Sequence, residues 1–230
     1  MAVKANHDIS SGLDTAFINS AINSNLAYRP EFVSNDYTQG KKVSVAIERE
    51  LRHCDAFYIS VAFITEGGLA PLKQVLAELR DKGIPGKILT TSYLTFTESK
   101  ALKTLADLSN VEVRVYNSTD EGASGFHTKG YIFKEEEIYR FIVGSSNMTA
   151  SAFSVNKEWN TKLVSTSDGE LLKQMMTEFN ALWNSEHTLA VKDFIEDYEV
   201  RYKLRKMLLK SKWLIFKHIS YSRIKCRHDL

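Results

Sequence analysis

The chain has 230 residues, 43% hydrophobic and 25% charged, which suits one globular domain with extensions and excludes a low-complexity or disordered polymer. Its apolar runs, such as Phe57–Ile64, are too short to span a bilayer, and the start Met1-Ala-Val-Lys-Ala-Asn-His-Asp8 lacks the apolar core of a signal peptide, so a cytoplasmic location and no membrane partner are expected. Two distant cysteines, Cys54 and Cys226, argue against a disulfide framework or a zinc site, and no metal or other cofactor is expected.

The net charge of +2 conceals an asymmetry. Residues 201–230 hold ten Lys or Arg and one acid (+9), which leaves 20 basic and 27 acidic residues (−7) in residues 1–200. A segment of that sign fits a polyanion partner or a junction to a further module, and equally a solvated helix. Phosphate binding within the body must therefore be local.

In chain order, residues 1–40 read as an arm rich in turn-formers, with one short helix around Leu13–Asn23. Val43, Ile47 and Leu51 recur at helical spacing. Ala56–Phe63 is a continuous β-prone run of the kind covered on both faces. A helix over Leu69–Lys82, stopped by Gly83, precedes a strand at Gly86–Thr91, a helix at Glu98–Leu108 and an alternating strand at Val111–Tyr116. That β-α-β-α-β order predicts an α/β sheet with right-handed crossovers. Strands at Phe126–Phe133, Ile138–Val143 and Glu158–Ser165 follow, with a short helical piece near Met148–Phe153. An amphipathic helix over Glu170–Trp183 closes a domain of residues 41–187, and 188–230 form a basic helical tail or linker.

Chemistry concentrates after residue 125. On a strand, His127 and Lys129 share one face, which sets a nucleophile or base beside a phosphate-binding cation. The tight turn Gly144-Ser-Ser-Asn147 can present Asn147, the hydroxyl of Ser145 or Ser146 and backbone N–H groups to the same spot. Glu158, opening the next strand, is placed to orient the imidazole through its second nitrogen. Thr91 and Tyr93 follow a strand end where ligands gather in α/β sheets, and are candidate substrate-binding residues, although a packed loop tyrosine is the commoner finding. Trp159 alternates to the opposite face and is expected in the core, while His53 and His187 are expected as surface or capping residues. No His/Asp/Glu cluster has metal-ligand spacing, and no phosphate-binding loop of an ATPase occurs.

His-x-Lys, then Gly-Ser-x-Asn ending about twenty residues on, then Glu eleven residues after the Asn, resembles the signature of the phospholipase D superfamily. Ser60-Val-Ala-Phe-Ile-Thr65, Ile88-Leu-Thr-Thr-Ser-Tyr-Leu94 and Asn156-Lys-Glu-Trp-Asn160 are similar to the phospholipase D-like domain at the N-terminus of bacterial helicase-like proteins, over about Leu13–Trp183. One position departs: the family's aspartate, seven residues after the histidine, is Lys134 here, which makes lipid hydrolysis less expected and leaves nuclease chemistry intact. The resemblance implies a mixed sheet flanked by helices on both faces. It implies a homodimer in which two His-x-Lys motifs form one active site, since this chain carries one copy. It also implies a metal-independent nuclease, with DNA as the expected nucleic acid and a C-terminal helicase module as a possible partner. In that scheme His127 attacks phosphorus, His127 of the second copy protonates the leaving oxygen, Lys129 and Asn147 bind the non-bridging oxygens, Ser145 adds a hydrogen bond and Glu158 holds the tautomer. The competing readings are a phosphodiesterase for phospholipid or another diester, and a catalytically idle DNA-binding or dimerisation module.

Overall fold

The computed structural model describes residues 2–225 apart from Ser20 and Ile22, with side chains described between residues 4 and 212. The expected tail residues 226–230, Cys226 among them, lie outside the described residues.

Eight strands form one mixed sheet: β1 (Glu31–Val33), β2 (Ala56–Val61), β3 (Gly86–Thr91), β4 (Val111–Tyr116), β5 (Lys129–Glu135), β6 (Ile138–Gly144), β7 (Asn160–Thr166) and β8 (Thr188–Ala190). Their order is β1-β7-β6-β5-β2-β3-β4-β8. Strands β2, β3 and β4 are parallel, and every other pairing is antiparallel. β2 lies at the centre of this order, which is why its sequence reads as a continuous apolar run. Strand β4 alternates as expected, with Val111, Val113 and Val115 buried and Glu112 exposed.

The helices are α1 (Ala2–Leu13), α2 (Val43–Leu51), α3 (Glu66–Leu69), α4 (Lys73–Asp81), α5 (Ser99–Ala106), α6 (Ala150–Ser154), α7 (Glu170–Trp183) and α8 (Val191–Lys225). On one sheet face Val43, Ile47 and Leu51 of α2, Leu76 and Leu79 of α4, and Ala101, Leu102 and Leu105 of α5 pack over Phe57, Ile59 and Val61. On the other, Leu172, Phe179 and Trp183 of α7 cover Leu89, Ile132 and Phe141. The α/β sheet with helices on both faces is therefore present.

Several local expectations change. The helix expected over Leu69–Lys82 is broken into α3, a tight turn at Ala70–Leu72 and α4, because Pro71 offers no N–H to a continuing helix. The N-terminal helix occupies Ala2–Leu13, ahead of the expected Leu13–Asn23, and a wider turn (Asp14–Ile18) follows it. Its alanine-containing start favours helix where the turn-formers further on do not. The sheet also draws on both flanks of residues 41–187, through β1 and β8. The first turns of α8 are core, with Val191, Phe194 and Tyr198 buried. Lys162 of β7 is buried against Glu50 at 3.3 Å and also meets Glu31, which ties β1 and α2 to the sheet.

Candidate active site

β2 ends where β5 begins, with Val61 opposite Lys129. β6 ends at Gly144, opposite Asn160, the first residue of β7. The loops around these ends converge on one edge of the sheet, and the candidate residues lie on them. Two of them sit just outside the strands expected to carry them. His127 precedes β5 and Glu158 precedes β7, because the backbone ladder on each side starts only at Lys129 and Asn160. A carbonyl of Thr128 accepts from the Ala62 N–H (3.0 Å) and the Thr128 hydroxyl bonds that of Ser60 (2.6 Å), so the segment carrying His127 is still anchored to β2.

His127 is exposed. The Lys129 ammonium lies 2.9 Å from His127 Nδ1, 3.3 Å from Nε2 and 3.0 Å from its carbonyl oxygen. Burial holds the lysine below its ordinary pKa, and the carboxylate of Glu158 opposes that shift, so Glu158 acts electrostatically on Lys129. Glu158 is itself buried, and its carboxylate accepts a hydrogen bond from the Ser145 hydroxyl. The expected Glu158–His127 contact is thus replaced by a Glu158–Ser145 pair, with Lys129 as the hydrogen-bonding neighbour of His127. The Ser145 hydroxyl also accepts from the Trp159 N–H (3.1 Å), and the Ser145 N–H donates to the Trp159 carbonyl (3.1 Å). Asn147 Oδ1 accepts from the Phe63 N–H (3.1 Å), and the Met148 N–H donates to the Phe63 carbonyl (3.0 Å). This fixes the Asn147 amide, whose Nδ2 donors have no partner among the described residues. His127, Lys129, Ser145, Asn147 and Glu158 are therefore set around one sheet edge.

The remaining candidates have other placements. Ser146 is fully buried: its N–H donates to Asn160 Oδ1 (3.2 Å), its hydroxyl accepts from Asn160 Nδ2 (2.9 Å) and its carbonyl accepts from Tyr131 (3.0 Å). Thr91 is also fully buried, with its hydroxyl donating to the Tyr116 carbonyl (3.0 Å). Neither side chain offers a surface to a substrate, because strand-end hydroxyls here complete the backbone's own hydrogen bonding. Tyr93 is 46% exposed on the loop after β3. Trp159, expected in the core, is 76% exposed with its ring edge-on to Phe32, because it lies before β7 where alternation does not yet hold. His53 is exposed, and His187 lies 3.5 Å from Asp120.

Sequence reasoning missed Asn160 and Phe63. Asn160 also donates to the Val33 carbonyl (3.0 Å), so this one buried amide holds the Gly144–Asn147 turn to β1. Gly144 is required there, since a Cβ would lie 2.2 Å from the Trp159 carbonyl oxygen. Phe63 turns its ring edge to His127, centroids 6.2 Å apart. Both lie in segments that carry the family resemblance, Ser60–Thr65 and Asn156–Asn160, but without a residue-level role.

Among the described residues no group of three or more His, Cys, Asp or Glu side chains is placed to hold a metal ion, and no helix is long and apolar enough to cross a membrane.

Residues 53–183, more than half of the chain, match the family model described as "Cardiolipin synthase, PLD-like domain". The chain belongs to the phospholipase D-like family. As a member it is a phosphodiester-acting enzyme. The fold is similar to that of several solved structures at low identity. Nuc from Salmonella typhimurium, a phospholipase D family member, is 16% identical with a TM-score of 0.52, covering 70% of this chain and 98% of that one. NucT from Helicobacter pylori is 15% identical with a TM-score of 0.54, over the same shares. Phosphatidylserine synthase from Haemophilus influenzae Rd KW20 is 14% identical with a TM-score of 0.51, covering 81% of this chain and 46% of that one. No curated protein sequence matches the chain.

Proposed function

We propose that this phospholipase D-like protein is a nuclease that cleaves DNA without a metal, through a covalent phosphohistidine on His127. The observation that carries the reading is the contact of Lys129 with His127 on an exposed sheet edge that also holds Asn147 and Ser145. An ammonium has three donors and no acceptor, so Nδ1 is the accepting nitrogen in this contact. A phosphate oxygen arriving between them would take over the ammonium's donors and release the imidazole lone pair. His127 then attacks phosphorus, and the P–O bond to the leaving strand breaks as the P–N bond forms, with a second histidine giving its proton to the leaving oxygen. Lys129 and the free Asn147 Nδ2 donors stabilise the non-bridging oxygens, supplying fixed positive charge where it develops. Glu158 acts through Ser145 and through the charge of Lys129. Water, activated at a second histidine, hydrolyses the intermediate.

That second histidine is His127 of another copy, so the active form is an isologous homodimer with one shared active site and its two-fold axis between the two copies of His127. A helicase module joined beyond α8 is the further partner proposed.

The test is incubation of labelled DNA, RNA and bis(4-nitrophenyl) phosphate in excess EDTA, with rapid quenching into alkali to preserve phosphohistidine. The expected result is cleavage of DNA in chelator and label retained on wild type but not on His127→Ala. Activity lost in EDTA and restored by Mg²⁺ overturns the mechanism. Sedimentation at the assay concentration tests the dimer, and a monomer with full activity rejects it.

A second reading has its own observation. A groove of about 450 Å³ runs between α7 and the sheet, lined by Tyr58, Ile132, Met175, Phe179 and Leu182 and ending at Lys129. An apolar groove leading to a phosphate-binding lysine favours a diester with an acyl chain. Phosphatidylglycerol vesicles in the same assay decide between the two, because preferential release of a lipid headgroup would select this reading.

A further inference from the structure

A line of side chains connects His127 to the basic helix. Phe63 is edge-on to His127, Phe96 is edge-on to Phe63 with centroids 5.0 Å apart, and the Arg205 guanidinium lies over Phe96 at 5.1 Å. Despite these contacts Phe96 is 47% exposed. It sits on the loop between β3 and α5, which also carries Leu94 (φ 48°) and Thr95 (φ 49°). Two consecutive non-glycine residues in the left-handed region are costly, and such strain persists only where neighbouring contacts over-determine it. Here they do: the Tyr198 hydroxyl of α8 donates to the Thr97 carbonyl (2.8 Å), and the Thr95 N–H donates to the Ser92 carbonyl (3.0 Å). The buried Thr95 hydroxyl has no hydrogen-bond partner among the described residues. The loop thus carries an aromatic ring at its surface, and α8 is one of the elements that hold it in place.

Beside Phe63 and Phe96 lies a cleft of about 560 Å³, closed on its far side by Thr149–Ser151. Its charge is divided. Glu98 lines the cleft and accepts the Glu66 N–H (2.8 Å), whereas Arg205 lies over the ring of Phe96 and is not part of the lining. A phosphate is repelled from the interior and attracted to the rim, while an uncharged ring is accepted inside.

We propose that this cleft is a nucleotide subsite next to the scissile phosphate. It takes one unpaired base against Phe63 and Phe96, and Arg205 of α8 holds the phosphate that follows. The inference rests on the nuclease reading. It makes α8 part of the substrate site, and it gives the enzyme a preference for single strands or frayed ends, because a stacked, paired base cannot enter without being unstacked.

The experiment uses the full chain as wild type, Phe96→Ala, Phe96→Trp and Arg205→Ala. The substrates are a single-stranded oligonucleotide, the blunt duplex of the same sequence, and bis(4-nitrophenyl) phosphate. The readout is the ratio of kcat/KM for the oligonucleotide to that for the aryl diester, which cancels any loss of folded protein. Phe96→Ala should lower the ratio roughly tenfold and Phe96→Trp should restore it. Arg205→Ala should lower it too, and should reduce the log–log salt slope for the oligonucleotide by about one unit. The wild type should cut the single strand faster than the duplex. Cleavage of oligonucleotides with a ratio indifferent to Phe96→Ala overturns the subsite alone. Turnover of the aryl diester with no cleavage of any nucleic acid overturns the nuclease reading, and the subsite with it.

Discussion

The ammonium of Lys129 and the imidazole of His127 lie 2.9 Å apart, so the group proposed to bind phosphate and the group proposed to attack it share one hydrogen bond in the free protein. Whatever changes the charge of Lys129 is felt at His127 without a third residue intervening. The buried carboxylate of Glu158 is the nearest control on that charge.

This sets a pH dependence. Burial lowers the Lys129 pKa, so its positive charge is present at low pH and lost as pH rises through a value below the ordinary lysine range. In that window the unfolded chain binds the extra proton, so stability rises with pH while phosphate binding falls. The kcat/KM profile should show an alkaline limb earlier than a free lysine would give. Glu158→Gln removes the group that raises the Lys129 pKa and should move the limb to lower pH, and Lys129→Arg should abolish it. A limb that stays put, or moves up, in Glu158→Gln contradicts the assignment.

His127→Ala should reduce single-turnover cleavage by roughly a thousandfold or more, as expected when the covalent nucleophile is lost. Its side chain is exposed and packs little, so unfolding stability should stay within about 0.5 kcal/mol of wild type. Retention of more than about a tenth of the rate would exclude His127 as nucleophile.

Asn160→Ala tests how the Gly144–Asn147 turn is held. It would leave the buried Ser146 N–H and Val33 carbonyl without their partners. Each such group costs about 1–3 kcal/mol, so urea unfolding should show a loss of at least about 2 kcal/mol, with a fall in kcat as Ser145 and Asn147 lose their positions. A loss below about 0.5 kcal/mol would mean the turn is held by other contacts.

Two truncations of α8 should separate its roles. Ending the chain at Ala190 removes buried Val191, Phe194 and Tyr198, and should cost more than about 5 kcal/mol, enough to unfold a marginally stable domain. Ending it after Met207 keeps those residues and Arg205. It should leave the melting temperature unchanged while reducing the salt slope of nucleic-acid binding, since Lys210 and Lys212 and the basic residues after them are lost. An unchanged slope in the shorter cut would show that the distal helix does not contact phosphate.

Local pattern alone determined a great deal of this protein. The strand readings placed β3 and β4 at their observed limits, and helical spacing marked α2 and placed α7 at its observed limits, because each helix buries one stripe whose period survives in the sequence. The spacing of His127, Lys129, Ser145, Asn147 and Glu158 was enough to name the family. Tertiary structure decided which of the hydroxyls face outward. Ser145 and Ser146 are neighbours of one type, yet Ser145 is at the surface and Ser146 is sealed by Asn160, a difference set by the approach of β7 and not by any local rule. It decided that Trp159 is exposed and that Glu158 bonds Ser145, because both precede the ladder that would have fixed their alternation. It also turned the first part of a basic tail into core, by laying Tyr198 under the loop that carries Phe96. Contacts between Tyr198 and Thr97, 101 residues apart, carry no local signature, because they exist only once the sheet has brought the two segments together.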